Sequence, residues 1–312
     1  MADMDIVETS EAEIEVHWGE EEYFHPSTEF IAQANLSAPG VFERFSLENF
    51  PNCFKEYADL LDWYEYWHTI LDTSDAPCWK WFAGGKINAS DNCVDRHLAK
   101  NKNKTAIHFV PELEEEKIEH ITYQELYVRV NEFAALLRDF AGLKAGDRVT
   151  LHMPMSAELP ITMLACARLG VIHSEVFGGF SGRASADRIV DSQSRVLIIM
   201  DSYYRAGKLV NHQENADSAV DLAAKDGQKV DKVLVWERYP GKASSPPPMV
   251  EGRDYFVTDV LKEYYGRRID PVPMVAEDPL FLMYTSGTTG KPKGCQHSTG
   301  GYLAYAAGTS KY

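Results

Sequence analysis

The chain is 312 residues long, 45% hydrophobic and 25% charged, which allows a buried core in one large domain or two ordinary ones. Its 31 basic and 47 acidic side chains leave a formal charge of −16, which argues against a general binder of nucleic acid or anionic membranes, since both need a basic face. A nucleotide substrate stays possible, because screening over about 8 Å at physiological salt leaves a bound phosphate to its nearest neighbours.

Residues 1–24 carry nine acids and no Lys or Arg, and the first basic residue is Arg44. Such a leader is expected to be mobile, with Ile14, Val16 and Trp18 as local anchors, and lacks the basic charge of a targeting presequence. No apolar run reaches the length of a membrane span, so the expected location is cytoplasmic. Five scattered cysteines form no CxxC pair, and ten histidines form no HxxxH or HExxH spacing, so reduced thiols and no metal site are expected.

Apolar residues at Tyr57, Leu60, Tyr64, Trp67 and Leu71 predict a helix over 54–71. The aromatic, Gly-containing stretch 78–97 fits no regular element; Trp79, Trp81 and Phe82 are expected in the core, with Asp95, Arg96 and His97 in a buried polar cluster. From about residue 105 strands and helices alternate. "TAIHFV" reads as a strand, and Thr122 with Glu125 makes a capping box opening a helix marked by Leu126, Val130, Phe133 and Leu137 and stopping near Gly142. "DRVTLHM", "VIHSEVF", "VLIIM" and "KVLVWE" read as further strands, and "AELPITMLACARLG" as a helix ending at Gly170. This order predicts an α/β fold of mostly parallel sheets with helices on both faces. Residues 240–252 read as a Pro/Gly-rich surface loop, and "PLFLMYT" as the last strand.

From that strand runs "YTSGTTGKPKG", residues 284–294. Gly287, Gly290 and Gly294 permit positive φ and close backbone approach, and successive N–H groups in such a turn can cradle an anion. Thr285, Ser286, Thr288 and Thr289 add hydroxyls, while Lys291 and Lys293 add charge. A Walker A loop is excluded, because Gly287 and Gly290 are only three apart and Pro292, not Ser or Thr, follows Lys291. The competing reading is a flexible surface turn.

"YTSGTTGKPKG" resembles the phosphate loop of adenylate-forming enzymes. With "WFAGGKINASDNCVDRHL", "VFGGFS", "RIVDSQSRVLI" and "KPKGCQHSTGGYL", the chain from about residue 14 onward is similar to the AMP-forming acetyl-CoA synthetases. The resemblance implies a ligase that uses Mg2+ with ATP, acetate and CoA, passing through an acetyl-adenylate and releasing AMP and pyrophosphate. It places Thr285, Ser286, Gly287, Thr288, Thr289, Gly290, Lys291 and Lys293 on the ATP phosphates, with Lys293 as the catalytic residue. It places Arg205, Ala206, Gly207 and Lys208 on the CoA phosphates, with Lys208 where the family has a second Arg, and Gly178 and Gly179 beside the pantetheine. Read from the residues alone, "SYYRAGK" is a helix start with solvated cations and Gly178–Gly179 a plain turn. Arg188 either lies near the CoA phosphates or pairs with Asp191; both stay open. Cys295 and His297 are expected to be structural, because the substrate carboxylate is the nucleophile.

The resemblance divides the chain into the leader 1–24, a synthetase-type region 25–100, and an AMP-binding domain 101–312 that stops just after its phosphate loop. The chain is therefore expected to be an N-terminal fragment, an incomplete large domain inactive and marginally stable alone, with the remaining C-terminal part as a separate chain its implied protein partner. A ligase for propionate or another short acid, and a noncatalytic nucleotide- or CoA-binding paralogue, are the alternatives.

Overall fold

The computed structural model describes residues 25–36, 39–242, 249–285 and 292–312. The acidic leader and phosphate-loop residues 286–291 lie outside these. One sheet organises the chain from residue 148 onward. Its strands are β1 (Arg148–Met153), β2 (Ile172–Phe177), β3 (Val196–Met200), β4 (Lys232–Trp236), β5 (Asp254–Phe256), β6 (Pro279–Thr285) and β7 (Lys293–Ser298). Their spatial order is β5-β4-β3-β1-β2-β6-β7, all pairs parallel except β6 with β7.

Among the described residues the five longest helices frame the sheet and its rim: α1 (Tyr123–Ala135), α2 (Glu158–Leu169), α3 (Gly182–Ser192), α4 (Gln213–Lys225) and α5 (Thr299–Lys311). The sheet buries both faces, and alternation along β3 shows how. Val196, Ile198 and Met200 join the core of α1 and α2, whereas Leu197 and Ile199 join that of α3 and α4. β4 divides likewise, Leu234 to the first core and Val233 and Val235 to the second. A strand covered on both sides must be apolar at every position, which is why "VLIIM" has no polar residue.

The helix limits follow from local chemistry. Glu125 N–H donates to Thr122 Oγ1 at 3.2 Å and Thr122 N–H to Glu125 Oε2 at 2.8 Å, completing the capping box of α1. α2 ends at Gly170, whose φ of 70° supplies the left-handed cap.

The expected helix over 54–71 is not formed. One helical turn, Lys55–Ala58, gives way to chain that pairs as a strand would: Tyr64 N–H donates to Lys86 O at 2.8 Å and His68 N–H to Ala83 O at 3.1 Å. The aromatic spacing that mimics a helix instead lets Trp63 and Trp67 pack on Phe82 at 5.8 and 5.1 Å. Trp79 is also not core; it is 56% exposed. Asp95, Arg96 and His97 do not form one buried cluster: Arg96 Nε donates to His97 Nε2 at 3.5 Å, but Asp95 bonds neither, and all three are half-buried. Asp95 pairs with Arg168 of α2, Arg96 Nη1 donates to Leu60 O at 2.8 Å, and His97 packs on Tyr123. The family-typical stretch around Asn88 is a bracket: its Nδ2 donates to Ala167 O at 2.9 Å and Val272 O at 2.8 Å, gripping the end of α2. The strand read at "TAIHFV" forms, but pairs antiparallel with Glu119–Thr122, outside the main sheet.

Candidate functional site

The sheet delivers its carboxyl ends to one rim. Pro154 follows β1, Gly178 follows β2, Asp201 follows β3, Glu237 follows β4, and the glycine-rich loop follows β6. The chain steps from β1 to β2 on one side, then to β3 on the other, so the strand order reverses at this rim, where open α/β sheets bind ligands.

A cavity of about 380 Å³ opens at the ends of β1 to β4, lined among others by Pro154, Met155, Phe177, Gly178, Gly179, Met200, Tyr203, Arg205, Arg238 and Tyr239. Two glycines in its wall leave little room for a side chain. A Cβ at Gly178 would lie 3.0 Å from Pro154 N and 3.1 Å from Met153 O, both backbone atoms that cannot move aside. A Cβ at Gly179 would collide with the Arg205 guanidinium, which lies over the Phe177 ring at 4.9 Å. Tyr203 Oη donates to Gly178 O at 3.0 Å and fixes the turn from behind.

Arg205 does not start a helix. Ser202–Arg205 and Lys208–Asn211 form an antiparallel hairpin whose turn residues, Ala206 at φ 50° and Gly207 at φ 71°, both take the left-handed conformation of a tight two-residue hairpin turn. The Gly207 N–H points out and donates to Glu112 Oε1 at 2.8 Å. Thus Gly178, Gly179 and Arg205 line the cavity, while Ala206, Gly207 and Lys208 form the turn and its exit beside it.

Arg188 stands elsewhere. It is buried on α3 between the Phe180 ring at 4.8 Å and the Tyr284 ring at 5.2 Å, and its Nη1 donates to Ala184 O at 2.7 Å. Burial lowers its pKa from the usual arginine value, yet a guanidinium stays charged. The ion pair with Asp191 does not form; Asp191 accepts from Tyr284 Oη at 2.7 Å instead.

Thr285 and Lys293 are register partners at the open ends of β6 and β7, so the described residues fix both feet of the glycine-rich loop. Ser286, Gly287, Thr288, Thr289, Gly290 and Lys291 lie between these feet, outside the described residues. Lys293 is exposed and has no ion pair among the described residues, leaving its ammonium available to an anion. His297 stacks on Phe281 at 4.5 Å, a packing role, and Cys295 is exposed along the edge strand.

Two histidines are buried together, His152 on β1 and His212 before α4, with ring centroids 4.2 Å apart. His152 Nδ1 meets Ser185 Oγ at 2.8 Å. Burial pushes His152 down to about 3, with help from His212, and pushes His212 down to about 4.

Residues 94–312 match the family model described as AMP-binding enzyme, and residues 42–93 match the acetyl-coenzyme A synthetase N-terminus. The chain belongs to the AMP-binding enzyme family. Among its relatives, a 3-hydroxypropionyl-coenzyme A synthetase of Sulfurisphaera tokodaii is 48% identical over 250 residues, 80% of this chain and 36% of the relative. Acetyl-coenzyme A synthetases of Wolinella succinogenes and Pyrobaculum aerophilum are each 42% identical, over 93% and 87% of this chain and 44% and 40% of their own lengths. The chain thus spans roughly two fifths of the AMP-binding relatives it matches. No helix among the described residues is long and apolar enough to cross a membrane.

Several residues of this candidate site were not legible in the sequence. Tyr203 and Tyr239 look like ordinary strand and loop aromatics. Glu112 sits in the acidic run "ELEEEK", which reads as a solvated loop. Pairing of Glu112 with Gly207, 95 residues away, is a long-range contact that joins it to the site.

Proposed function

We propose that this chain carries the phosphate loop and the CoA pocket of an AMP-forming acid–CoA ligase whose acid is acetate. The observation that carries the proposal is shared placement: the cavity of Gly178, Gly179 and Arg205 and the feet of the glycine-rich loop, Thr285 and Lys293, stand on one rim of one sheet. In the first half-reaction, a carboxylate oxygen attacks the α-phosphorus of ATP and pyrophosphate leaves. Loop N–H groups and hydroxyls from Ser286 to Thr289, with Lys291 and Lys293, would hold the β- and γ-phosphates and offset charge growing on the leaving group. In the second, the CoA thiol attacks the acyl carbonyl and AMP leaves. Gly178 and Gly179 would let the pantetheine pass close to backbone, and Arg205 and Lys208 would meet its phosphates. Lys208 keeps the charge of an arginine but not its two-pronged geometry.

Magnesium would arrive as part of the nucleotide substrate. Among the described residues no group of three or more His, Cys, Asp or Glu could hold a metal. The division into a synthetase-type region to about residue 100 and an AMP-binding domain beyond it is part of the same proposal.

A second acid, 3-hydroxypropionate, is favoured by the 48% identity to the Sulfurisphaera tokodaii relative. Calorimetric titration of the purified chain with ATP and with CoA tests the two sites, and AMP release driven by acetate or 3-hydroxypropionate tests the chemistry. Binding of both ligands without turnover is expected. Failure to bind either ligand would remove the proposal, and turnover at the rate of a full-length relative would show that this chain needs no further groups.

A further inference from the structure

The hairpin turn beside the cavity already holds an anion. Glu112 Oε1 takes the outward N–H of Gly207 at 2.8 Å, between the register partners Arg205 and Lys208. A backbone N–H that binds a carboxylate oxygen, in a turn whose two ends carry Arg205 and Lys208, is a seat that a phosphate oxygen could also use. Glu112 is not there by chance alone. Its loop is tied to the end of β4, where Tyr239 Oη donates to Glu116 Oε2 at 3.0 Å and Arg238 Nη1 to Glu119 Oε1 at 2.8 Å. The Arg238 guanidinium also lies over Phe109 at 4.6 Å, just before the loop. Both ends of the loop are therefore held against the cavity that Glu112 itself lines.

We propose that Glu112 is a specificity-determining residue that competes with the 3′-phosphate of CoA for the Gly207 N–H, narrowing the preference for CoA over 3′-dephospho-CoA. This rests on the reading of the cavity as the CoA pocket. A ligand bearing the phosphate must expel the carboxylate and lies close to its charge; one lacking the phosphate leaves Glu112 in place. The two ligands differ only there, so a change at Glu112 separates them.

The test is calorimetric titration of the 312-residue chain, and of its Glu112→Gln and Glu112→Ala variants, with CoA and with 3′-dephospho-CoA. Removing the charge-assisted hydrogen bond that opposes the phosphate should tighten CoA by about fivefold, with dephospho-CoA unchanged. The Gln variant keeps a weaker acceptor and should fall between wild type and Ala. If both ligands shift equally, or neither shifts, the proposal is overturned while the CoA reading stands. If no variant binds CoA, that reading fails. The seat is then judged with inorganic phosphate, by the Gly207 amide resonance. A phosphate-dependent shift in the variants and not in wild type upholds the competition, and no shift in any chain refutes it.

Discussion

Tyr284 Oη donates to Asp191 Oδ2 at 2.7 Å, joining the strand that leads into the glycine-rich loop to the helix that follows the cavity's Gly178–Gly179 turn. Burial, then the Asp191 hydrogen bond, pushes the Tyr284 hydroxyl well above the usual tyrosine value, so it acts as a donor at all physiological pH. Tyr284→Phe should cost about 1–2 kcal/mol in urea unfolding, because Asp191 is left without this donor. Asp191→Asn keeps an acceptor and should cost less. Equal losses in the two variants would show that the bond depends on the charge of Asp191.

Lys293 stands at one foot of the loop with no carboxylate paired to it among the described residues. In a chain carrying the remaining length of its relatives, Lys293→Ala should slow acyl-adenylate formation more than it weakens ATP binding. Isotope exchange between pyrophosphate and ATP measures the first, and equilibrium titration the second. Exchange at the wild-type rate would remove Lys293 from the chemistry.

The two glycines of the cavity wall should fail differently. Gly178→Ala forces a Cβ against the backbone of Met153 and Pro154 and should destabilise the fold by about 1–3 kcal/mol. Gly179→Ala meets side chains alone, the end of Arg205 and the exposed Phe177 ring at 2.8 Å, so the melting temperature should fall less than for Gly178→Ala while CoA affinity falls. Thermal unfolding beside CoA titration separates the two effects.

Arg168 is nearly fully buried, and its guanidinium meets Asp95 through two bonds, at 2.7 and 2.9 Å. Asp95→Ala would strand that charge and should cost about 3–5 kcal/mol. Lys262→Ala, which breaks the exposed pair with Asp259, should leave the urea midpoint unchanged.

His152 and His212 predict acid lability. Both are held below their unfolded value of about 6.5, near 3 and 4, so between these limits the unfolded chain binds protons the folded chain refuses. Stability contributed by their neutral forms is complete above about pH 6.5 and is lost as pH falls towards the folded values. Each contributes a slope of up to about 1.4 kcal/mol per pH unit. His212→Gln should flatten the urea midpoint between pH 6 and 4.5; an unchanged slope would show that burial does not hold this ring neutral.

The sequence patterns reveal the α/β architecture because five of the seven described sheet strands declare themselves chemically: "VLIIM" is apolar throughout since both its faces are covered, and Gly170 marks the stop of α2. Short β5 and exposed β7 do not, so "PLFLMYT" is not the last strand. Long-range pairing is what they conceal. Nothing in "YEYWH" reveals that Tyr64 and His68 will bond to Lys86 and Ala83, so helical spacing misleads there. The Arg205–Lys208 hairpin is concealed because Ala206 occupies a left-handed position where Asn or Gly is the usual signal. At the site, the cavity's glycines and Arg205 are visible as motif residues, whereas Glu112 and Tyr203 join it only through tertiary bonds.

The edge strand β7 has a colloidal consequence. Lys293, Gly294, Cys295 and Gln296 are all exposed on a strand that, among the described residues, borders the sheet, and a bare strand edge is a template for another copy to extend. Lys293 is the one formally charged side chain on β7, so it also repels a second identical edge from docking in register. The Lys293→Ala chain should therefore cloud at lower protein concentration than wild type. Light scattering belongs beside every assay of that variant, because lost material and lost chemistry would otherwise look the same.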